Sequence, residues 1–224
     1  MYIFISPHFD DAIGSAGGTI SRLVAKSKQV KIITIMGGSP ENPTDAEYVL
    51  TRRKENTNAC NILGVDYVNA DFLDAIYRTE IDYSKKDSIF NQETILEQKL
   101  CDNITDYLIQ QVKLDDIIIV PTAFGNHIDH KIVRVACEKL KRKISLYEDF
   151  FYNTRESSNT LINTYEIIEL TDNEIQTKIS AFNKYTSQIK SLFLTMEEMV
   201  QYFTNFHTVN QRPIERFSNV SIFD

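Results

Sequence analysis

The chain has 224 residues, 42% of them hydrophobic, which predicts one globular domain spanning residues 1–224. Its formal net charge of −7 argues against a nucleic-acid partner or an anionic membrane surface, because both call for clustered lysine and arginine. The longest apolar runs are strand-sized, so we expect no membrane span and no signal peptide. The cysteines Cys60, Cys101 and Cys137 are odd in number and widely spaced, which argues against a disulfide framework and favours a cytoplasmic protein.

The first third of the chain alternates between strand-like and helix-like segments. In chain order the pattern predicts strand 2–6, helix 13–26, strand 30–36, helix 45–63 and strand 65–70. Gly64 stands where the second helix needs a C-cap. Because strand-helix-strand units form parallel pairs with right-handed crossovers, these segments indicate an α/β fold.

The rest of the chain extends this pattern. It predicts helix 95–112, strand 116–120, helix 132–143, strand 146–152, a polar loop 154–160, strand 165–170 and one long helix 172–194. Thr171 and Glu174 have the spacing of a capping box at the start of the last helix. The whole predicts a Rossmann-like three-layer α/β fold with a mostly parallel central sheet, in a single domain.

Two short patches carry most of the chemistry. Residues 7–11 read Pro-His-Phe-Asp-Asp, residues 127–130 read His-Ile-Asp-His, and each patch follows a predicted strand. Alone, either patch is as well explained by a helix N-cap or a solvated histidine. Open α/β sheets bind ligands at the carboxyl edge of their strands, so we expect the two patches to meet there. A catalytic zinc site uses three protein ligands and an open position, and the patches supply these ligands with a carboxylate to spare.

These motifs resemble those of the LmbE-like, or PIG-L, zinc-dependent deacetylases, which remove acetyl groups from N-acetylglucosamine-type substrates. Between residue 2 and about residue 190, four segments match in consistent order. They are residues 7–11 with Gly14 and 17–20, residues 52–55 with Ala59 and 63–65, residues 127–130, and Lys178 with 187–188. Three residues depart from the family pattern, Phe9 in place of a proline, Ala12 in place of a glutamate, and Ile128 where proline is common.

The resemblance implies a role for each motif residue. The implied ligands of a zinc ion, with ferrous iron as the alternative, are His8, Asp11 and His130. Asp10 is the implied general base for attack by a zinc-bound water. His127, oriented by Asp129, would face the reacting carbonyl, and in its protonated form it would stabilise the oxyanion. The predicted activity is hydrolysis of the N-acetyl group of an amino sugar or sugar conjugate.

Three further residues are predicted to contact the substrate. The guanidinium of Arg52 can make paired hydrogen bonds with sugar hydroxyls or a phosphate, although a salt bridge with Glu55 or another acid is an equal alternative. Residues 147–149 resemble a Tyr-Glu-Asp segment of bacterial family members, so we expect Glu148 or Asp149 to face the sugar. The alternative for both is a solvated strand end. The identity of the amino sugar and formation of a homo-oligomer stay open.

Other interpretations compete with these predictions. A metal-dependent phosphoesterase would need two ions about 3.5 to 4 Å apart and therefore more ligands. A binding protein that has kept the fold would not need an intact set of ligands and base. Gly14, Gly17 and Gly18 lack the spacing of a dinucleotide loop, so we expect them to permit tight helix packing. His207 stands alone, and we expect a packing or surface role for it.

Overall fold

A mixed β-sheet forms the central layer of the computed structural model, which describes residues 1–78, 88–91, 97–150, 165–205 and 208–218. The strands are β1 (Tyr2–Ser6), β2 (Val30–Thr34), β3 (Asp66–Asn69), β4 (Ile117–Pro121), β5 (Ile144–Tyr147), β6 (Tyr165–Glu169), β7 (Thr208–Val209) and β8 (Arg212–Ser218). Their order in the sheet is β3-β2-β1-β4-β5-β8-β6, with β7 paired to β8. Strands β1 to β5 are parallel, whereas β8 is antiparallel to both neighbours. The predicted mostly parallel sheet is confirmed.

Helices cover both faces of this sheet. They are α1 (Asp11–Ala25), α2 (Pro43–Leu63), α3 (Ser88–Asn91), α4 (Gln98–Gln111), α5 (Ile128–Glu138), α6 (Asp172–Phe182), α7 (Thr186–Leu192) and α8 (Met196–Asn205). Successive side chains of β1 point to opposite faces, so Phe4 packs with α1, α2 and α6 while Ile3 and Ile5 pack with α4 and α5. Two apolar layers of this kind confirm the predicted three-layer α/β fold. Among the described helices, none is long and apolar enough to cross a bilayer.

The predicted single helix over residues 172–194 is wrong, because the chain breaks between α6 and α7. Tyr185 lies at the break, fully buried. Its hydroxyl donates a hydrogen bond to the Phe9 carbonyl at 2.8 Å and contacts Asn56 Oδ1 at 2.7 Å. A continuous helix could not turn this side chain toward those two partners. The predicted loop 154–160 and His207 lie outside the described residues.

Gly17 and Gly18 of α1 permit close packing, as predicted. A Cβ atom at Gly17 would lie 2.9 Å from Lys178 Cγ, and one at Gly18 would lie 2.5 Å from Leu170 Cδ1. Both distances are shorter than a carbon–carbon contact allows. The absence of a side chain therefore lets α6 approach α1.

A buried ion pair ties this helix contact to the sheet. Lys178 Nζ on α6 lies 2.8 Å from Glu215 Oε1 on β8, with the two side chains 4% and 1% exposed. The same carboxylate accepts hydrogen bonds from the backbone N–H groups of Gly18 at 2.9 Å and Thr19 at 2.7 Å. Both carboxylate oxygens are thus satisfied, which a buried charge requires.

Candidate metal centre

The two motif loops meet at one edge of the sheet. Strands β1 and β4 are parallel neighbours, so the loops that follow them leave the sheet side by side. The imidazole centroids lie 5.4 Å apart for His8 and His130, 4.9 Å for His8 and His127, and 5.2 Å for His127 and His130. The predicted convergence of the two patches is observed, although about 120 residues separate them in sequence.

Three side-chain atoms form a compact set of metal-binding donors. Asp11 Oδ2 lies 3.1 Å from His8 Nδ1 and 3.2 Å from His130 Nε2. The three residues can place one donor atom each within 4.8 Å of one another, and all three are buried. Ligands 2.0 to 2.2 Å from a tetrahedral zinc ion lie about 3.3 Å apart. The donor set fits one divalent ion.

His8 and His130 each have one ring nitrogen that faces Asp11 and a second, outer nitrogen that lies beside another carboxylate. His8 Nε2 lies 3.1 Å from Asp129 Oδ2, and His130 Nδ1 lies 2.5 Å from Asp149 Oδ1. When the outer nitrogen of a neutral imidazole carries the proton, the nitrogen that faces Asp11 has a lone pair available for a metal ion. Carboxylates in this position commonly fix the tautomer and the orientation of metal-binding histidines.

Carboxylates shift the pKa values of both imidazoles of the donor set. Although burial opposes it, the carboxylates of Asp74 and Asp11 raise the pKa of His8 well above its usual value. Burial likewise opposes charge on His130, yet Asp11 and Asp149 raise its pKa to about 9. The pKa of Asp11 is held well below its usual value, against burial, by His130 and His8. The carboxylates of Asp11, Asp74 and Asp149 therefore favour positive charge at the two imidazoles.

Asp129 contacts His127 through its backbone N–H, while its carboxylate has other partners. The carboxylate contacts His8, the backbone N–H of Ala75 at 2.9 Å and Arg78 Nη1 at 2.7 Å. Only the backbone N–H of Asp129 reaches His127, donating to Nδ1 at 3.2 Å. Asp129 therefore supports a candidate ligand, and its amide leaves the proton of a neutral His127 on Nε2.

The surroundings of His127 oppose the predicted positive charge on its imidazole. Burial and the nearby His8 lower the pKa of His127 well below its usual value, more than Asp129 raises it. The ring of Phe90 packs edge-on against this imidazole with centroids 5.5 Å apart. Burial and His8 therefore favour the neutral form of this imidazole.

Glu148 and Asp149 do not share a role. Asp149 is 1% exposed and its Oδ2 accepts hydrogen bonds from Thr122 Oγ1 at 2.5 Å and the Phe124 N–H at 3.3 Å. Glu148 points elsewhere and pairs with Arg216 Nη1 on β8 at 3.2 Å. Successive residues of an extended chain face opposite sides, which separates the two carboxylates. That one of them faces the sugar stays a prediction.

Asp10 lies beside the donor set without belonging to it. Its side chain is buried, and Oδ1 accepts a hydrogen bond from Arg52 Nη2 at 3.2 Å. Burial and the charge of Asp11 raise the pKa of Asp10, while Arg52 opposes the rise. A carboxylate with a raised pKa accepts a proton more readily, as a general base must.

Arg52 and Glu55 of α2 have different partners, so the alternative of a salt bridge for Arg52 is realised with other acids instead of Glu55. Besides Asp10, Arg52 reaches Asp74 Oδ2 with Nη1 at 3.6 Å. Glu55 accepts hydrogen bonds from the backbone N–H of Ser187 at 2.8 Å and the Thr186 hydroxyl at 2.7 Å. Arg52 therefore faces the candidate metal centre, and Glu55 anchors the start of α7.

Sequence reasoning gave no role to Asp74 or Arg78. Asp74 Oδ2 lies 3.6 Å from His8 Nε2, and Arg78 bridges Asp129 and Glu97. Asp74 follows a strand at the carboxyl edge of the sheet, and this position could have predicted that it lies near the site. Arg78 follows a short 3-10 turn, residues 75–77, and has no such signal.

The ring of Phe9, which replaces the proline of the family motif, supports Arg52. Phe9 is 1% exposed, and Arg52 Cζ lies 5.3 Å from its ring centroid. The Phe9 carbonyl is fixed by the Tyr185 hydroxyl. A cation–π contact and a buried hydrogen bond thus hold the loop that a proline would restrain through its fixed φ.

Several known proteins are similar to this chain in sequence or in fold. Residues 3–141 match the family model described as PIG-L, GlcNAc-PI de-N-acetylase. A similar protein is the 2′-N-acetylparomamine deacetylase of Niallia circulans, 25% identical over 231 residues that cover 86% of this chain and 82% of the relative. A deacetylase of the teicoplanin biosynthesis pathway superposes with a TM-score of 0.84 at 21% identity, over 96% of both chains. The zinc-inhibited form of a teicoplanin deacetylase gives a TM-score of 0.77 at 19% identity, over 99% of both chains.

Proposed function

Because this chain belongs to the PIG-L family of GlcNAc-PI de-N-acetylases, we propose that it is a metal-dependent hydrolase that removes the N-acetyl group from an amino sugar or sugar conjugate. One observation carries the metal dependence: three donor atoms converge while Asp129 and Asp149 hold the outer nitrogens of both imidazoles. The similar deacetylases are named for 2′-N-acetylparomamine and for the teicoplanin biosynthesis pathway, which supports an N-acetylated compound as the substrate.

The proposed metal ligands are the three donor atoms that converge in the candidate centre. They are His8 through Nδ1, Asp11 through Oδ2 and His130 through Nε2. Imidazole and carboxylate donors suit zinc, with ferrous iron as the alternative. A bound divalent ion would acidify water and polarise the acyl oxygen.

Three residues of this chain serve the reaction. Asp10 accepts the proton of the attacking water and returns it to the departing amine. Arg52, hydrogen-bonded to Asp10, holds the carboxylate in place. His127 donates from Nε2 to the developing oxyanion as a neutral imidazole, and loss of one such donor costs about 3 to 4 kcal/mol. The products are a free amine and acetate.

The same contacts weigh against a two-ion phosphoesterase. A second candidate donor group, formed by His8, His127 and Asp129, shares His8 with the first. The Asp129 carboxylate in it is already engaged by Ala75 and Arg78. The described residues therefore do not supply two independent ligand sets, as two ions require.

A substrate screen tests the proposed function. Purified protein is incubated with N-acetylated sugars, glycosides and nucleotide sugars, and both acetate and free amine are measured. We expect equal amounts of the two products, loss of turnover with a chelator, recovery with added zinc, and about one metal ion per chain. Turnover that survives complete metal removal, or phosphate release with two ions per chain, would contradict the proposal.

Replacing Asp149 by asparagine should weaken metal affinity by about 10- to 100-fold, because His130 loses the carboxylate that fixes its outer nitrogen. Competition with a chromogenic chelator measures the affinity. Glu148→Gln is the matched control, since it removes the adjacent carboxylate, which pairs with Arg216 instead. Equal losses in the two variants would refute the role assigned to Asp149.

A further inference from the structure

Residues 73–78 hold the carboxylate that supports His8. The Ala75 N–H donates a hydrogen bond to Asp129 Oδ2 at 2.9 Å, and Arg78 Nη1 donates one to Asp129 Oδ1 at 2.7 Å. With a donor on each oxygen, the carboxylate cannot rotate without losing a hydrogen bond. Its Oδ2 atom is thereby kept 3.1 Å from His8 Nε2.

The guanidinium of Arg78 is fixed on both of its sides. Nη1 also donates to the Leu73 carbonyl at 2.9 Å, which closes the turn of residues 73–78. On the other side, Nε lies 2.8 Å from Glu97 Oε1, and Nη2 donates to Glu97 Oε2 at 3.2 Å. A planar guanidinium that faces a carboxylate with two nitrogens has a defined orientation. Glu97 and the turn therefore set the direction in which Nη1 points to Asp129.

These contacts form a buried chain of alternating charge. The side chains of Asp129, Glu97 and Arg78 are 0%, 7% and 12% exposed. Solvent screens charges in such positions much less than charges at the surface. Glu97 lies directly before α4, and Asp129 lies in the first turn of α5. We call the chain of Glu97, Arg78, Asp129 and His8 the Arg78 network.

A second carboxylate lies near the same nitrogen of His8. Asp74 Oδ2 is 3.6 Å from His8 Nε2, which is beyond a direct N–H to oxygen hydrogen bond, and it is also 3.6 Å from Arg52 Nη1. Asp129 is the acceptor for His8 as long as Arg78 keeps it in place. If Asp129 turned away, the imidazole would turn toward Asp74, and its Nδ1 atom would leave the donor set.

We infer that Arg78 is a positioning residue of the candidate metal centre, which together with Glu97 holds Asp129 in the orientation that directs His8 Nδ1 at the metal ion. This inference rests on the proposed metal-dependent function and deepens it. Carboxylates that contact metal-binding histidines commonly tune the affinity for the metal. In this chain the tuning extends beyond the carboxylate to an arginine and its own counter-ion.

The zinc affinity of Arg78→Met tests the inference. Titration of the metal-free protein with zinc, in competition with a chelating dye, should give about 10-fold weaker binding. This loss is at the lower end of the range for supporting residues, because Ala75 still holds Asp129 Oδ2. Arg78→Lys should bind zinc more tightly than Arg78→Met, since an ammonium keeps the charge beside Asp129 but lacks the planar fork that faces Glu97.

Arg142→Met is the matched control for Arg78→Met. Arg142 also donates to backbone carbonyls, those of Lys113 at 2.7 Å and Leu114 at 2.6 Å, but these residues precede β4 at the opposite edge of the sheet. We expect Arg142→Met to lower stability in urea and to leave the zinc affinity within about 2-fold. The control therefore separates general loss of arginine contacts from a role at the metal centre.

A double variant shows whether Arg78 acts through Asp129. Asp129→Asn already removes the charged acceptor, so adding Arg78→Met to it should weaken zinc binding by less than about a further 2-fold. An arginine that only stabilises the fold would instead cause the same loss with and without Asp129→Asn.

Glu97→Gln gives a second test that keeps Arg78 and applies even if Arg78→Met does not fold. It should weaken zinc binding by about 3-fold, because a neutral amide holds the guanidinium less strongly than a carboxylate does. Glu174→Gln is its control, since the Glu174 side chain is 12% exposed and pairs with Arg22 instead, at 2.6 Å. The control variant should bind zinc as the unmodified protein does.

The outcomes separate this inference from the proposed function. If the protein binds zinc and deacetylates its substrate, but Arg78→Met and Arg142→Met have equal zinc affinity, the inference is wrong and the proposed function stands. Equal effects of Glu97→Gln and Glu174→Gln, or equal losses from Arg78→Met in the two backgrounds, also overturn the inference. Weaker zinc binding in Arg78→Met without any deacetylation supports the inference and contradicts only the proposed reaction. If the unmodified protein binds neither zinc nor ferrous iron, both are wrong.

Discussion

The Asp10→Asn variant is expected to lose about 10²- to 10⁴-fold in kcat while keeping its metal ion, since a general base contributes a factor of this size. The amide has nearly the shape of the carboxylate and can still accept a hydrogen bond from Arg52, but it cannot take a proton from water. The proposed metal ligands are three other residues, so metal content per chain should stay the same. Steady-state kinetics and elemental analysis measure the two quantities.

Asp71→Asn provides the control for this variant. It makes the same chemical change on a side chain that is 83% exposed and paired with Arg53 outside the donor set. We expect its kcat to match that of the unmodified protein. Full activity in Asp10→Asn would remove Asp10 from the mechanism, whereas loss of the metal would show that Asp10 is a ligand rather than a base.

Glu215→Gln should lower the free energy of unfolding by about 3 to 5 kcal/mol, because it leaves the ammonium of Lys178 buried without a counter-charge. Burial already lowers the pKa of Lys178, and Glu215 is the group that opposes this shift. Urea denaturation followed by circular dichroism measures the change. The exposed pair Arg134–Glu138 gives the comparison, and Glu138→Gln should cost about 0.5 kcal/mol or less.

A double variant separates the charge effect from lost packing. In Lys178→Met with Glu215→Gln, no buried charge remains, and the glutamine oxygen can still accept from one of the amides of Gly18 and Thr19. We expect this variant to recover more than half of the stability lost in Glu215→Gln. A double variant as unstable as Glu215→Gln would mean that the carboxylate stabilises the fold through the two amides rather than through Lys178.

Local patterns in the sequence predicted the fold and the meeting of the two motif loops. Period-2 and helical spacings located the parallel strands, and Gly64 and the capping box of Thr171 and Glu174 ended or began helices as expected. Ligands bind at the carboxyl edge of parallel strands, and this rule predicted that His8 and His130 lie close together. These predictions succeed because each depends on backbone geometry, which short segments encode.

Side-chain partners were decided only by the tertiary structure. Asp129 is two residues from His127 in sequence, yet its carboxylate turns to His8 because Ala75 and Arg78 hold it there. Asp149 reaches His130 for a similar reason, since Thr122 and Phe124 fix its orientation.

The sequence by itself determined which chemical groups reach the edge of the sheet, because strand order and periodicity are local properties of the chain. Only the folded structure decided which carboxylate supports which histidine, that the surroundings of His127 favour its neutral form, and that the last predicted helix is divided near Tyr185. Those outcomes depend on burial and on hydrogen bonds between residues far apart in sequence, and the sequence pattern does not encode these contacts one by one.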